Sequence, residues 1–229
     1  MYASLGKHHI DRTTREGTVT STHPATSRTR DDLVEARKSA ILAAAEKLVA
    51  VHGFDALRLR DVSAAAGVSI GLIQHYFTTR DELLRETMRT ASVRRAAQWA
   101  QLAHGHNEAP ETLRALLEGS ISDRHRCVVW LETCAAATRH QDLVADVQRN
   151  QEAWQSAIRE VVDQGVARGD FSPDIPVADI VALLVSLIDG LILGAATEPE
   201  DAKRSAYRRQ LLREVAERLL PPGSAVGAP

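Results

Sequence analysis

Between Leu57 and Leu84 two short apolar-periodic runs meet at Gly67, and a third begins directly after Thr79. Runs of about two turns cannot bury a core of their own, so each must lean on a neighbouring helix. A glycine turn between two such helices leaves one face of the second free to meet a surface, and a DNA groove is the surface that this arrangement suits. The local chemistry agrees. Ser69 is an N-cap for the second helix, and Val68 with Ile73 occupies the two positions of a hydrophobic staple. Ala64, Ala65, Ala66 and Gly67 are small enough for close approach at the turn, while Val62, Val68, Ile73 and Phe77 supply its apolar core. Thr79 and Glu82 form a capping box, so a longer helix starts near Arg80 and runs to about His104.

The periodicity of the remaining chain is helical throughout. Asp32 can cap a first helix, with Glu35 reaching back, Ile41, Ala45, Leu48 and His52 on one face and Gly53 as its stop. The motif helices are read as roughly 60–66 and 69–76. Beyond Gly105 and Pro110 the pattern predicts helices near 110–122, 124–138, 141–168, 177–195 and 201–220, punctuated by Gly169, Pro173 and Pro199. The fold class is therefore all-α with about nine helices. Residues 1–30 lack apolar periodicity and are read as a disordered tail, 31–88 as the helix-turn-helix domain, 89–220 as a larger helical domain, and 221–229 as a loose tail.

The net charge of −2 excludes long polybasic arms that hold nucleic acid by charge alone. A DNA reading must rest on a local face, and Arg37, Lys38, Arg58, Arg60 and Arg80 surround the motif. On the second motif helix Ile70, Gly71, Leu72, Gln74 and His75 are left outside the turn's core. Gln74 can present a bidentate amide to adenine, and Leu72 or Ile70 can meet thymine methyl groups. Packing of those two apolar residues against the first helix is the competing reading.

Residues 35–88 resemble the N-terminal domain of the tetracycline-repressor (TetR) family of bacterial transcription regulators. The resemblance is carried by Gly53-Phe54, Arg60-Asp61-Val62, Ala66-Gly67-Val68-Ser69, Gly71, His75-Tyr76-Phe77 and Arg80-Asp81-Glu82-Leu83-Leu84. It implies a homodimeric, ligand-responsive repressor in the cytoplasm, bound to a palindromic operator. It places Ser69, His75, Tyr76 and Arg80 near phosphates, where they position without specifying, and Thr78 can join them. Two features depart from the family pattern. Arg58 stands where a threonine usually caps the first motif helix, supplying a cation within reach of phosphate. Leu72 and Gln74 replace the usual threonine and tyrosine, so no relative's operator can be borrowed.

Helix 177–195 is apolar nearly all round and helix 201–220 keeps a stripe, so Leu184, Ile188, Leu191, Tyr207, Leu211 and Val215 are candidates for a symmetric four-helix interface. Intrachain core is the alternative. The run Ile180–Ala196 is read as too short to span a bilayer, and no membrane partner is expected. Trp130, Cys134, Asn150, Gln151 and Trp154 are candidates for a small-molecule pocket, with Glu132 or Asp189 available to a cationic or aromatic ligand. No phosphate loop, strand-borne nucleophile or zinc-type spacing appears, and His104, His106, His125 and His140 do not make one. Hence no catalytic residue, metal or cofactor is expected. Cys127 and Cys134, seven apart on one helix, are too distant for a disulfide and are read as reduced. The rival readings are a DNA-binding activator or architectural protein without an effector, and, more distantly, an all-helical enzyme or a metal or redox sensor.

Overall fold

The computed structural model describes residues 30–104, 108–199 and 201–223. The expectations for residues 1–29, 224–229 and His106 fall outside these; Arg30 already belongs to the first helix, and residues 221–223, expected to be loose, are held against 170–172, the Ser172 amide donating to the Pro221 carbonyl at 2.9 Å and the Gly223 amide to the Asp170 carbonyl at 3.0 Å. The described elements are α1 (Arg30–His52), α2 (Leu59–Ala66), α3 (Ile70–Tyr76), α4 (Arg80–Ala103), α5 (Ala109–Ile121), α6 (Arg124–Ala137), α7 (Val144–Arg168), α8 (Val177–Thr197) and α9 (Ala202–Leu219). A single 3-10 turn, Gln141–Leu143, leads into α7, where one continuous helix from residue 141 was expected.

Local signals set the boundaries. The Ser69 side chain accepts from the Leu72 amide at 3.2 Å, and Thr79 accepts from the Glu82 amide at 3.0 Å. Glu82 returns the bond one residue earlier than a capping box would, taking the Thr78 amide at 2.8 Å. Gly67, at φ 66°, occupies the left-handed position that closes α2 and permits the tight turn into α3. Asp32 does not cap α1; the helix starts at Arg30, which puts Asp31 and Asp32 in its first turn, where their charge suits the helix dipole.

Two apolar cores divide the molecule. The first joins α1, α2 and α3 through Ile41, Phe54, Val62, Ile73 and Phe77, and continues into Met88 and Ala91 of α4 and Val129 and Ala136 of α6. The second is built from α5 to α9 around Leu116, Ile158, Ile180, Leu184 and Ile188. Because α4 and α6 contribute to both, the head formed by α1–α3 is seated on the body rather than tethered to it. Helix α8 extends further than the sequence suggested, and its 21 residues are long and apolar enough to cross a membrane by length and composition. Burial accounts for one face of it: Ile180, Val181, Leu184, Val185, Ile188 and Ile192 lie in the second core.

Candidate functional site

Helix α3 is anchored by Ile73, fully buried beneath it, and by Phe77 immediately after it. Its opposite face, with Gly71, Gln74, His75 and the 41% exposed Ile70, is open to solvent. Leu72 and Tyr76 are half-buried, so the turn's packing accounts for part of each. Ser69 and Thr78, both exposed, flank the helix. Arg58 occupies the position before α2 with extended backbone and no capping bond from its side chain. Arg60 is exposed beside Asp61 at 3.5 Å. Lys38 faces inward to Glu86 at 3.8 Å and to the ring of Phe77.

Arg80 has a different place from the one expected at a phosphate. Its Nε donates to the Leu57 carbonyl at 2.6 Å, Nη2 to the carbonyls of Phe54 and Asp55 at 2.6 and 2.7 Å, and Nη1 to Asp81 at 2.8 Å. Its guanidinium fork is thus engaged in tying the start of α4 to the α1–α2 loop.

In the body, α4, α5, α6, α7 and α8 surround a cavity of about 30 Å³, room for about one water. Trp130, Asn150, Gln151 and Trp154 line it as the sequence reading proposed, and Asp189 does too. Cys134 is not among its lining residues and Glu132 faces the head. Trp99 and Arg95 of α4 were missed: Trp99 packs on Trp154 with centroids 4.6 Å apart, and the Arg95 guanidinium lies 6.0 Å from the Trp130 ring centre. The only signal for them was their four-residue spacing on a helix whose inner face the sequence leaves open. Asn150 is 3% exposed, and its Nδ2 has no hydrogen-bond partner among the described residues. Burial pushes the Asp189 carboxyl above its ordinary range, and a hydrogen bond from Gln151 partly opposes this.

Two of the helices that wall the cavity, α4 and α6, also hold the head. Arg94, adjacent to Arg95, donates to both carboxylate oxygens of the buried Glu46 on α1, at 2.7 and 2.8 Å. Glu132, two residues after Trp130, accepts the Phe54 amide at 2.9 Å. Arg139 pairs with Asp55 at 2.7 Å. Wall and seat are one structure.

The expected symmetric interface needs correction. Leu184 and Ile188 are 0% exposed and belong to the intrachain core, so neither can face a partner. Leu191, Leu211 and Val215 are half-buried and Tyr207 is 65% exposed. The uncovered stripe of α8 instead runs through Leu183, Ser186, Gly190 and Leu193, with the two leucines 50% and 53% exposed.

Burial pushes the thiols of Cys127 and Cys134 up to about 11, and both are free. At pH 7.5 a thiol of that kind is ionised in only about one molecule in a few thousand. Alkylation by iodoacetamide should therefore be at least ~10-fold slower in the folded chain than in denaturant; equal rates would show that the thiols are open to solvent. His104, His125 and His140 contact Glu160, Glu46 and Phe54 respectively, and no cluster of three metal-ligating side chains occurs among the described residues.

A three-helix head with an outward second motif helix, seated on a helical body that holds a polar–aromatic cavity, defines a helix-turn-helix regulator with an effector domain. Residues 41–87 match the family profile of bacterial regulatory proteins, tetR family, and residues 106–221 match that of the BetI-type transcriptional repressor C-terminal domain. Among similar proteins, the regulator BetI of Ectopseudomonas mendocina (strain ymp) is 31% identical over 187 residues, spanning 75% of this chain and 90% of that one. A TetR-family regulator from Rhodococcus sp. superposes with a TM-score of 0.67 at 26% identity, covering 81% of this chain and 99% of that one. A regulator from Saccharomonospora viridis, solved in complex with choline, gives 0.73 at 24% identity over 81% and 97% of the two chains.

The chain belongs to the TetR family, and is a ligand-responsive, DNA-binding transcriptional regulator of the repressor type. Members of this family bind DNA and small-molecule effectors, typically as dimers, and a regulator of this kind acts in the cytoplasm.

Proposed function

We propose that the chain represses its target genes as a homodimer on a palindromic operator within the nucleoid, acting by binding alone, with no chemical step of its own. The observation that carries this is the solvent-open face of α3, presented on a helix whose other face is fixed by Ile73 and Phe77. Two such helices about 34–36 Å apart would enter successive major grooves. Gln74 reads a base edge, Ile70 and Leu72 offer apolar contact to thymine methyls, and Arg58, Arg60, Ser69, Gly71, His75, Tyr76 and Thr78 line the approach to the backbone. Arg80 is left out of this set because its donors are engaged within the chain.

The cavity is the effector site. Three indoles and a carboxylate suit a cationic or aromatic ligand, in keeping with the choline held by the Saccharomonospora viridis regulator. A cavity of about 30 Å³ cannot admit an organic molecule with its walls in place. Binding must displace a wall, and α4 and α6 carry that displacement to Glu46 and Phe54 of the head. The two heads then leave register with the operator, to an extent limited by the effector's differential affinity for the two states.

Selection of bound duplexes from a random pool, followed by release with a metabolite library, tests both halves. An enriched palindrome that is released by a compound quenching tryptophan emission is the expected result; absence of any enriched sequence would overturn the reading. On the selected operator, Gln74→Ala should weaken binding by ~1–3 kcal/mol per half-site and relax the base preference at one position in each, with non-specific binding unchanged. A uniform loss over all sequences would assign Gln74 to the backbone instead.

A further inference from the structure

The cavity holds two features that a purely cationic effector leaves unexplained. The first is Arg95. Its Nη2 donates to the Arg126 carbonyl at 2.8 Å, yet among the described residues no carboxylate lies within ion-pair distance of its guanidinium. Arg94 takes Glu46 and Arg126 takes Asp123, so the neighbouring acids are already used. Burial depresses the Arg95 pKa, the direction expected for a cation lacking a full counter-charge.

The second is the Asn150 amide. It is almost wholly buried and lines the cavity with an unused Nδ2 donor. An orphaned donor costs about 1–3 kcal/mol, so a site that retains one is built for an acceptor. Asp189, partly buried, lines the same small space with Trp99 and Trp154. Trp130 already carries Arg95 over its ring, which leaves the Trp99–Trp154 pair for a ligand cation.

Building on the reading of this cavity as the effector site, we infer that the effector is a small zwitterion: its carboxylate is met by Arg95 and the Asn150 amide, its cationic group by Asp189 and the paired indoles. The charges of such a molecule complement a cavity that offers one unmatched cation, one unmatched donor and one acid. A simple cation leaves Arg95 and Asn150 as they are, and a simple anion leaves Asp189 buried and opposed.

The test uses the full chain and isosteric probes. Calorimetric titration with trimethylammonioacetate and 4-(trimethylammonio)butanoate is compared with choline, which lacks the carboxylate, and with 3,3-dimethylbutanoate, which lacks the cation. At least one zwitterion should bind ten-fold or more tighter than both controls and release the selected operator. Arg95→Gln and the uncharged, near-isosteric Asn150→Leu should each bring the ratio of zwitterion to choline affinity down to about one, with thermal unfolding confirming that both variants fold. The inference is overturned if choline binds as tightly as either zwitterion, if no zwitterion binds, or if the variants keep the preference. A cation-only result leaves the cavity as the effector site, whereas a library compound that releases DNA without touching tryptophan emission removes the site itself.

Discussion

Replacing Arg80 by alanine should lower the stability of the folded chain by about 2–4 kcal/mol, measured by urea unfolding at fixed protein concentration. The basis is the set of bonds from one guanidinium to the carbonyls of Phe54, Asp55 and Leu57. Phe54 and Leu57 are themselves buried, so their carbonyls lose their partner without gaining full access to water. Lysine cannot reproduce a planar fork, and Arg80→Lys should show most of the same loss. Operator affinity should fall with stability, because the loop that positions α2 and α3 loses its tie to α4. A phosphate-contacting arginine behaves differently: its removal would leave the unfolding midpoint unchanged and reduce the salt dependence of DNA binding by about one counterion.

The double variant Leu183→Asp with Leu193→Asp should sediment as a 25.0 kDa monomer and bind its operator about a hundred-fold more weakly, or worse. Both leucines are half exposed on α8, so aspartate there costs the single chain little, whereas a helix pair across a two-fold axis would have to bury four carboxylates. Losing the mate turns one bidentate event into two independent ones, which removes the effective concentration of the second head. Leu184→Asp provides the contrast. It places a charge at a fully buried position and should yield unfolded protein rather than a soluble monomer. A double variant that remains dimeric and binds DNA normally would put the subunit contact elsewhere.

These two positions also show where sequence patterning stops being informative. The helix-turn-helix was readable because its signals are local: Ser69 caps the amide of Leu72 three residues on, Thr79 caps Glu82, and Gly67 turns the chain between them. Helix limits followed from the same kind of cue, which is why α4, α5 and α6 fall within about a residue of expectation. Helix α8 defeats this logic. When nearly every position is apolar, periodicity cannot distinguish the face turned to α5 and α7 from the face left open, so the pattern points to Leu184 where Leu183 is the open residue. Arg80 failed for a related reason, since its carbonyl partners lie 23 to 26 residues back along the chain. Trp99 could be joined to Trp154 only by the packing of α4 against α7.

On the proposed reading of the small cavity among the three tryptophans as the effector site, its size has a thermodynamic consequence for the cell. Work needed to part its walls is subtracted from whatever contacts an effector makes, and each ~1.4 kcal/mol of it raises the concentration for half-response tenfold. Such a switch ignores trace amounts of its signal and answers only above a threshold. That threshold is written into the stiffness of the helices as much as into the groups that touch the molecule being sensed.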